Sequence, residues 1–163
     1  MKQGKYFIFA ALLALWTALA AAQGAGVPKP GVKDLCPVCG MLVSKYPNWV
    51  AVALYRDGHA HYFDGAKDLF KYLHEYAKYA PGHRKEDLAG LYVTEFYGLG
   101  KVDAKRAFYV IGSDVLGPMG HELVPLETRA DAEEFLKDHK GKRIVTFEQA
   151  TPDLLTKLDN GKF

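Results

Sequence analysis

Hydrophobic and polar positions fall into a pattern of strands and helices that starts near residue 49. The stretch Trp49 to Arg56 is β-branched and aromatic, which predicts a largely buried strand. Asp57-Gly58 follows as a hairpin turn signal. His59 to Phe63 is the predicted return strand, with His59, His61 and Phe63 on one face because side chains alternate along a strand.

An amphipathic helix and a third strand complete this first unit. Asp64 is placed to cap the helix, and Pro81-Gly82 ends it. Leu91 to Tyr97 predicts the third strand. The helical stripe recurs at the i, i+3, i+4 and i+7 spacing, at Ala66, Leu69, Phe70, Leu73 and Tyr76.

The same order of elements then recurs. Strands are predicted at Ala107 to Ile111, His121 to Leu126 and Ile144 to Phe147. A long turn, Gly112 to Gly120, joins the first two strands of this unit. A helix capped by threonine at 128 runs over residues 128–139, before the last strand.

Repetition of this order predicts the fold class. Neither unit can bury its apolar face alone, so we expect an α+β protein of two packed ββαβ units with an approximate internal twofold repeat. The units span about residues 34–100 and 101–160 within one domain, 34–163. Thr151-Pro152, an N-cap with proline at the first helical position, starts a short terminal helix within the second unit.

The N-terminal residues have the composition of an export signal. Lys2 and Lys5 precede an apolar run from Tyr6 to Ala18, and small residues follow up to Ala22. This predicts a cleavable signal peptide over residues 1–22 and a periplasmic protein. No cysteine lies near the cleavage point, so we expect no lipid anchor. The Gly/Pro-rich residues 23–33 then predict a flexible leader.

Charge gives no reason to expect a nucleic acid partner or an anionic membrane surface. Residues 1–22 hold two lysines and no acidic residue, so the 21 basic and 19 acidic side chains become 19 of each after cleavage. A neutral balance of this kind provides no electrostatic attraction to polyanions. The chain also lacks a nucleophile elbow, a phosphate-binding loop and a catalytic pair of carboxylates, so we expect no enzymatic activity.

Sulfur is the element that stands out chemically. Both cysteines lie in Cys36-Pro-Val-Cys39-Gly-Met41, and Met119 lies in a second turn framed by glycine and proline. Thiolate and thioether sulfur are the soft ligands that select Cu(I). Methionine is commonly a core filler, but both of these lie beside glycines in turns rather than in apolar stripes. We therefore predict that the two turns meet and hold one soft metal ion.

Other interpretations of the cysteine pair remain open. Cys36 and Cys39 can form a stabilising disulfide, although the loop it would close is small. Zinc held by the pair with His59 and His61 is a further alternative. A haem attachment motif requires a histidine directly after Cys39, where Gly40 stands. A thioredoxin-like motif is disfavoured because a strand, and not a helix, is predicted to follow.

The sequence supports histidine nitrogens as metal ligands less strongly than it supports the sulfur atoms. His121 lies two residues after Met119 and is a candidate ligand for a sulfur and nitrogen site. Glu122 and Asp64 are candidates to orient a histidine ligand. The remaining histidines are interpreted without a functional role, namely His74, His83 and His139.

At these residues the chain resembles the NosL family, accessory proteins of nitrous oxide reductase. The resemblance rests on Cys36-Pro-Val-Cys39-Gly40-Met41-Leu-Val43, on Tyr62-Phe63 leading into residues 68–73, and on Pro118-Met119-Gly120. It covers about residues 34–150. The first half is also similar to the small metal-binding YHS and TRASH modules.

The resemblance implies a Cu(I)-binding copper chaperone that delivers copper for maturation of nitrous oxide reductase. It implies as metal ligands Cys39, Met41 and Met119, and then Cys36 and His121. Other copper-handling proteins are possible further partners. The alternative function from the residues is a periplasmic thiol-disulfide protein that uses the Cys36 and Cys39 pair, and a third is an interaction module stapled by a disulfide.

Overall fold

A computed structural model of the chain describes residues 26–163. The expected signal peptide, residues 1–22, and the first residues of the expected leader lie outside the described part. Within the described part, no helix has the length and apolar character needed to cross a membrane. Val27, in the expected leader, packs against the main core.

A four-stranded antiparallel sheet forms the first half, with strand order β2-β1-β3-β4. The hairpin of β1 and β2 pairs Ala51 with Phe63 and Ala53 with His61. Strand β3 pairs on the other edge of β1, with a bulge between Leu54 and Tyr55. The elements are β1 (Ala51–Tyr55), β2 (Ala60–Phe63), α1 (Ala66–His74), α2 (Tyr76–Tyr79), β3 (Leu88–Thr94) and β4 (Lys101–Asp103).

A three-stranded antiparallel sheet forms the second half, and its order β6-β5-β7 repeats the order β2-β1-β3 of the first sheet. The second half therefore has the predicted ββαβ arrangement, and the α+β fold class is confirmed. Thr128 caps α3 by accepting a hydrogen bond from the backbone N–H of Asp131, as predicted. The elements are β5 (Phe108–Ile111), β6 (Val124–Leu126), α3 (Arg129–Asp138), β7 (Arg143–Val145) and α4 (Pro152–Asp159).

Strand β5 joins the two halves because its alternate side chains enter different cores. Tyr109 and Ile111 are buried in the main core, which also holds helix α1 and helix α4. Val110 points to the opposite face and packs in a smaller core with Phe135 of α3. The ring of Phe70 on α1 meets Tyr109 edge-on, with centroids 5.2 Å apart. Helix α1 of the first half therefore packs directly on the sheet of the second.

Three local predictions were wrong. Strand β4 was not predicted, and the predicted single helix is divided at Glu75, whose ψ of 43° is not helical. Asp64 does not cap α1, because the N-cap is Gly65 and no side chain caps that end. The carboxylate of Asp64 is directed instead to the thiol of Cys39.

Candidate metal centre

The cysteine motif folds into a tight turn that precedes the first sheet. The backbone N–H of Gly40 donates to the carbonyl of Cys36 at 2.8 Å, and the N–H of Cys36 donates to the carbonyl of Met41 at 2.9 Å. Gly40 has a φ of +77°, which a residue with a side chain rarely adopts. This backbone places Cys36, Cys39 and Met41 on one short loop, with Cys36 buried and the other two half-buried.

Each thiol is paired with a buried carboxylate from the start of α1. The Sγ of Cys36 donates to Oδ2 of Asp68 at 3.3 Å, and the Sγ of Cys39 donates to Oδ1 of Asp64 at 3.2 Å. The four ligand atoms of these residues all lie within 4.8 Å of one another. Both cysteines are free thiols. The site is therefore a compact group of two sulfurs and two carboxylates.

Two carboxylate oxygens in this group lack a hydrogen-bond partner. Among residues 26–163, Oδ2 of Asp64 and Oδ1 of Asp68 are buried without a hydrogen-bond donor, although the ammonium of Lys71 lies 3.9 Å from Oδ1 of Asp68. Leaving a buried acceptor unpaired costs about 1–3 kcal/mol, so such atoms are rare in folded proteins. A cation bound among the four side chains would provide a close partner for Oδ2 of Asp64 and a second positive charge beside Asp68.

Burial and the neighbouring carboxylates keep the thiols protonated. Burial, opposed by a backbone hydrogen bond at Met41 and reinforced by the hydrogen bond to Asp64, raises the pKa of Cys39 to about 12. Burial, and then the charge of Asp68, raises the pKa of Cys36. Burial also raises the pKa of Asp68. At neutral pH the metal-free group therefore holds both thiol protons.

A buried lysine connects the second predicted turn to the same helix end. The ammonium of Lys67 donates to the carbonyl oxygens of Met119 at 3.1 Å and His121 at 2.8 Å. Glu122 accepts from the backbone N–H of Lys67 at 2.6 Å. Because residue 67 adjoins Asp68, the turn that carries Met119 lies at the end of α1 where the thiols lie.

The five side chains predicted as ligands are placed differently. Cys36 and Cys39 are in the group, and Met41 is on their loop. Met119 lies on the adjoining turn with its side chain 45% exposed. The ring of His121 packs edge-on against Phe163, with centroids 4.8 Å apart, and His121 is not a member of the thiol and carboxylate group.

Sequence reasoning missed Asp68 and Lys67 as parts of the site. A signal for Asp68 was present, because it lies four residues after Asp64 and adjoins the apolar stripe at Leu69. Nothing in the pattern indicated that Lys67 is buried, because its partners are carbonyls more than 50 residues away.

Comparison with known proteins places this arrangement in a family. The family model described as NosL matches residues 29–155, which is more than half of the chain. The chain belongs to the NosL family. The match includes the cysteine turn, the start of α1 and the Met119 turn, so all the residues of the candidate centre lie within the NosL region.

Two matches illustrate what this NosL chain is similar to. It is 29% identical over 133 residues to the copper-binding lipoprotein NosL of Stutzerimonas stutzeri, across 75% of this chain and 64% of the relative. The match thus spans less than two thirds of that relative's length. The crystal structure of the copper chaperone NosL from Shewanella denitrificans aligns with a TM-score of 0.63 and 22% identity, across 80% of this chain and 99% of that one. At that identity the structural match supports the fold alone.

Proposed function

We propose that this chain is a periplasmic Cu(I) chaperone that supplies copper for maturation of nitrous oxide reductase. The observation that supports this proposal most directly is the pair of thiols grouped with two carboxylates, each with one buried oxygen that has no hydrogen-bond donor, at the helix end where the Met119 turn also lies. Membership of the NosL family and the name of the Stutzerimonas stutzeri relative, a copper-binding lipoprotein, support the same metal.

The donor set favours a soft monovalent ion. Thiolate and thioether sulfur prefer Cu(I), and Cys36, Cys39, Met41 and Met119 are the proposed sulfur donors. The carboxylates of Asp64 and Asp68 would balance charge around the ion rather than select it, because oxygen ligands suit harder cations. His121 is a less favoured candidate ligand than the four sulfur residues, because its ring packs on Phe163.

Copper loading requires that each ligating thiol lose its proton. The S–H groups of Cys36 and Cys39 already donate to Asp68 and Asp64, so each proton has an acceptor about 3 Å away. Binding would then release protons to solvent through these carboxylates. A protonated resting state also protects the pair from oxidation, because the thiolate is the reactive form.

Transfer to an acceptor requires access to the ion. Met119 and the backbone at Gly40 are exposed, and Cys39 is half-buried, whereas Cys36 is fully buried. An acceptor's ligand can therefore approach from the Met119 side while Cys36 still holds the ion. We infer that Met119 and Cys39 exchange first and that Cys36 releases last.

A thiol-disulfide exchange function is disfavoured by the same electrostatics. Redox-active cysteines usually have a lowered pKa, whereas the pKa of Cys39 is raised to about 12. At pH 7 such a thiol is almost entirely protonated, so it is a poor nucleophile.

Competition against a Cu(I) chelator of known strength tests the binding proposal. The reduced protein should bind one equivalent of Cu(I), and Cys39→Ser and Met119→Leu should each weaken binding at least tenfold. Leu116→Ala is the matched control for Met119, because Leu116 is another exposed side chain of the same turn. Micromolar or weaker affinity, or equal affinity in the Cys39→Ser/Met119→Leu double variant, would refute the site.

The acceptor is tested separately. Copper-loaded protein is mixed with copper-free nitrous oxide reductase, and the reductase is then separated and its copper content measured. Copper should move to the reductase faster than from a small-molecule Cu(I) complex of equal affinity. Equal rates would contradict the delivery role and leave the binding proposal standing.

A further inference from the structure

Three imidazoles gather in the first half of the molecule, away from the cysteine turn. The side chains of His59, His61 and His83 each place a ring nitrogen within 4.8 Å of the others. The rings of His59 and His83 are stacked, with centroids 4.9 Å apart and planes 10° apart. His61 stands edge-on to both, at 4.9 Å and 5.1 Å. This group shares no residue with the thiol and carboxylate group.

A hairpin and a glycine turn supply the three histidines. His59 and His61 are two residues apart at the hairpin of β1 and β2, so they lie on one face of the sheet. His83 follows the turn at Gly82, which has a φ of +85°, and its N–H donates to the carbonyl of Ala80 at 3.1 Å. The ring of Tyr55 packs against all three imidazoles.

A chain of tyrosine hydroxyls fixes the orientation of His61. Its Nδ1 is 2.8 Å from the hydroxyl of Tyr72, which is hydrogen-bonded to Tyr55, and Tyr55 is 2.7 Å from Tyr76. If Nδ1–H donates to Tyr72 and each hydroxyl donates to the next, every member of this chain is satisfied. The other nitrogen, Nε2, then carries the free lone pair. Metal-binding histidines are typically oriented by such a hydrogen bond from the non-ligating nitrogen.

Packing of the rings does not by itself account for the arrangement. Three imidazoles at this spacing repel one another when protonated, and burial followed by the charges of His59 and His83 lowers the pKa of His61 to about 4. His59 is exposed, so no burial of apolar surface compensates for placing it against two other imidazoles. A shared cation could be held by one ring nitrogen from each histidine, because these nitrogens lie within 4.8 Å of one another.

We propose that His59, His61 and His83 form a second metal site, for a divalent cation of the Zn²⁺ and Cu²⁺ class. Imidazole nitrogen suits these borderline ions, whereas the sulfur turn suits Cu(I). Three protein ligands leave a fourth position open on the exposed side of His59, as in zinc sites that keep a water or exchange a ligand. The protein would therefore carry two sites of different softness.

Zinc titration in a variant without thiols tests the proposal. The Cys36→Ser/Cys39→Ser protein, purified without a polyhistidine tag, is titrated with Zn²⁺ against a chromophoric chelator at pH 7.5. We expect one equivalent bound at micromolar affinity or tighter. His59→Gln and His83→Gln should each weaken binding at least tenfold, and both are substitutions at the surface or in a loop rather than in the core. His139→Gln is the control, because His139 lies in the other half.

Spectroscopy with Cu²⁺ provides an independent test of the three-histidine site. Cu²⁺ added to the thiol-free protein should give an electron paramagnetic resonance spectrum with hyperfine splitting from several nitrogens, and that splitting should be reduced in His83→Gln. The proposal is overturned if the thiol-free protein binds neither ion at micromolar concentration, or if both histidine variants bind as tightly as their parent. Unchanged circular dichroism in the variants excludes misfolding as the cause of lost binding.

Discussion

Replacement of Lys67 by methionine isolates the connection between α1 and the Met119 turn. Methionine is unbranched and keeps the length of the apolar stem of this side chain, which is 1% exposed, while it removes the terminal ammonium and its charge. The lost contacts are the hydrogen bonds to the carbonyls of Met119 and His121, at 3.1 and 2.8 Å, and the 3.0 Å ion pair with Asp159.

The expected loss in the free energy of unfolding can be worked out from these contacts. Each hydrogen bond from a buried ammonium contributes about 1.5 kcal/mol at the low end of its range. Asp159 is 41% exposed and stays hydrated, so its share is small. We therefore expect Lys67→Met to lower the free energy of unfolding by about 3 kcal/mol. That is about a hundredfold in the unfolding equilibrium.

Urea unfolding followed by circular dichroism measures this loss. Lys71→Met is the matched control, because Lys71 also pairs with Asp159, at 2.8 Å, and its second ion pair, with Asp68 at 3.9 Å, does not involve the Met119 turn. The control should lose less than about 1 kcal/mol, since its pair is partly exposed. A loss of under about 1 kcal/mol in Lys67→Met, or an equal loss in both variants, would refute the reasoning.

The same variant tests the functional link to Met119. If Lys67 positions the turn, Met119→Leu should cost less Cu(I) affinity in the Lys67→Met background than in the wild-type protein. Strict additivity of the two losses would show that Met119 acts independently of Lys67.

Three further results are expected. Asp64→Asn should bring the pKa of Cys39 below about 12, because it removes a charged acceptor; alkylation rate against pH measures this, and an unchanged profile would count against the thiol–carboxylate pair. Burial raises the pKa of Glu122 to about 7, so between about pH 4.5 and 7 the folded protein keeps a proton that the unfolded chain has lost. The free energy of unfolding should therefore fall as the pH rises through that window. In Glu122→Gln the urea midpoint should change less with pH there. Gly65→Ala should lower the free energy of unfolding by about 1–3 kcal/mol, because the new Cβ would lie 2.4 Å from Oε2 of Glu122. Gly100→Ala, with nothing within 4 Å of the new Cβ, should have little effect in the same melt.

Periodicity was enough to predict most of the fold. The paired strands and the helix of each half have clear local patterns, as do the caps at Thr128 and Thr151. The structure contains all of these elements. Strand β4 has only three residues, Lys101–Asp103, and pairs with β3 without a pattern of its own. Its presence depends on tertiary contact, which a local window does not contain.

The candidate metal centre was predictable in its sulfur atoms and not in its charged partners. Cysteine and methionine beside glycines are conspicuous, whereas Asp64 is also a common helix-capping residue type. The pairing of Asp64 with Cys39 arises from the fold, over 25 residues of separation. His83 was interpreted without a role because its neighbours in the sequence say nothing of His59, which meets it only through the folded hairpin.

Helix α4 and the residues after it contact two residues near the candidate metal centre. Asp159 holds Lys67, and Phe163 just beyond the helix packs on His121. Deletion of residues 152–163 would therefore remove the Asp159 partner of Lys67 and the Phe163 contact of His121, as well as the buried leucines of α4. Shortened versions are poor reporters of copper affinity, because they would keep every proposed ligand and still bind more weakly if the scaffold loosens.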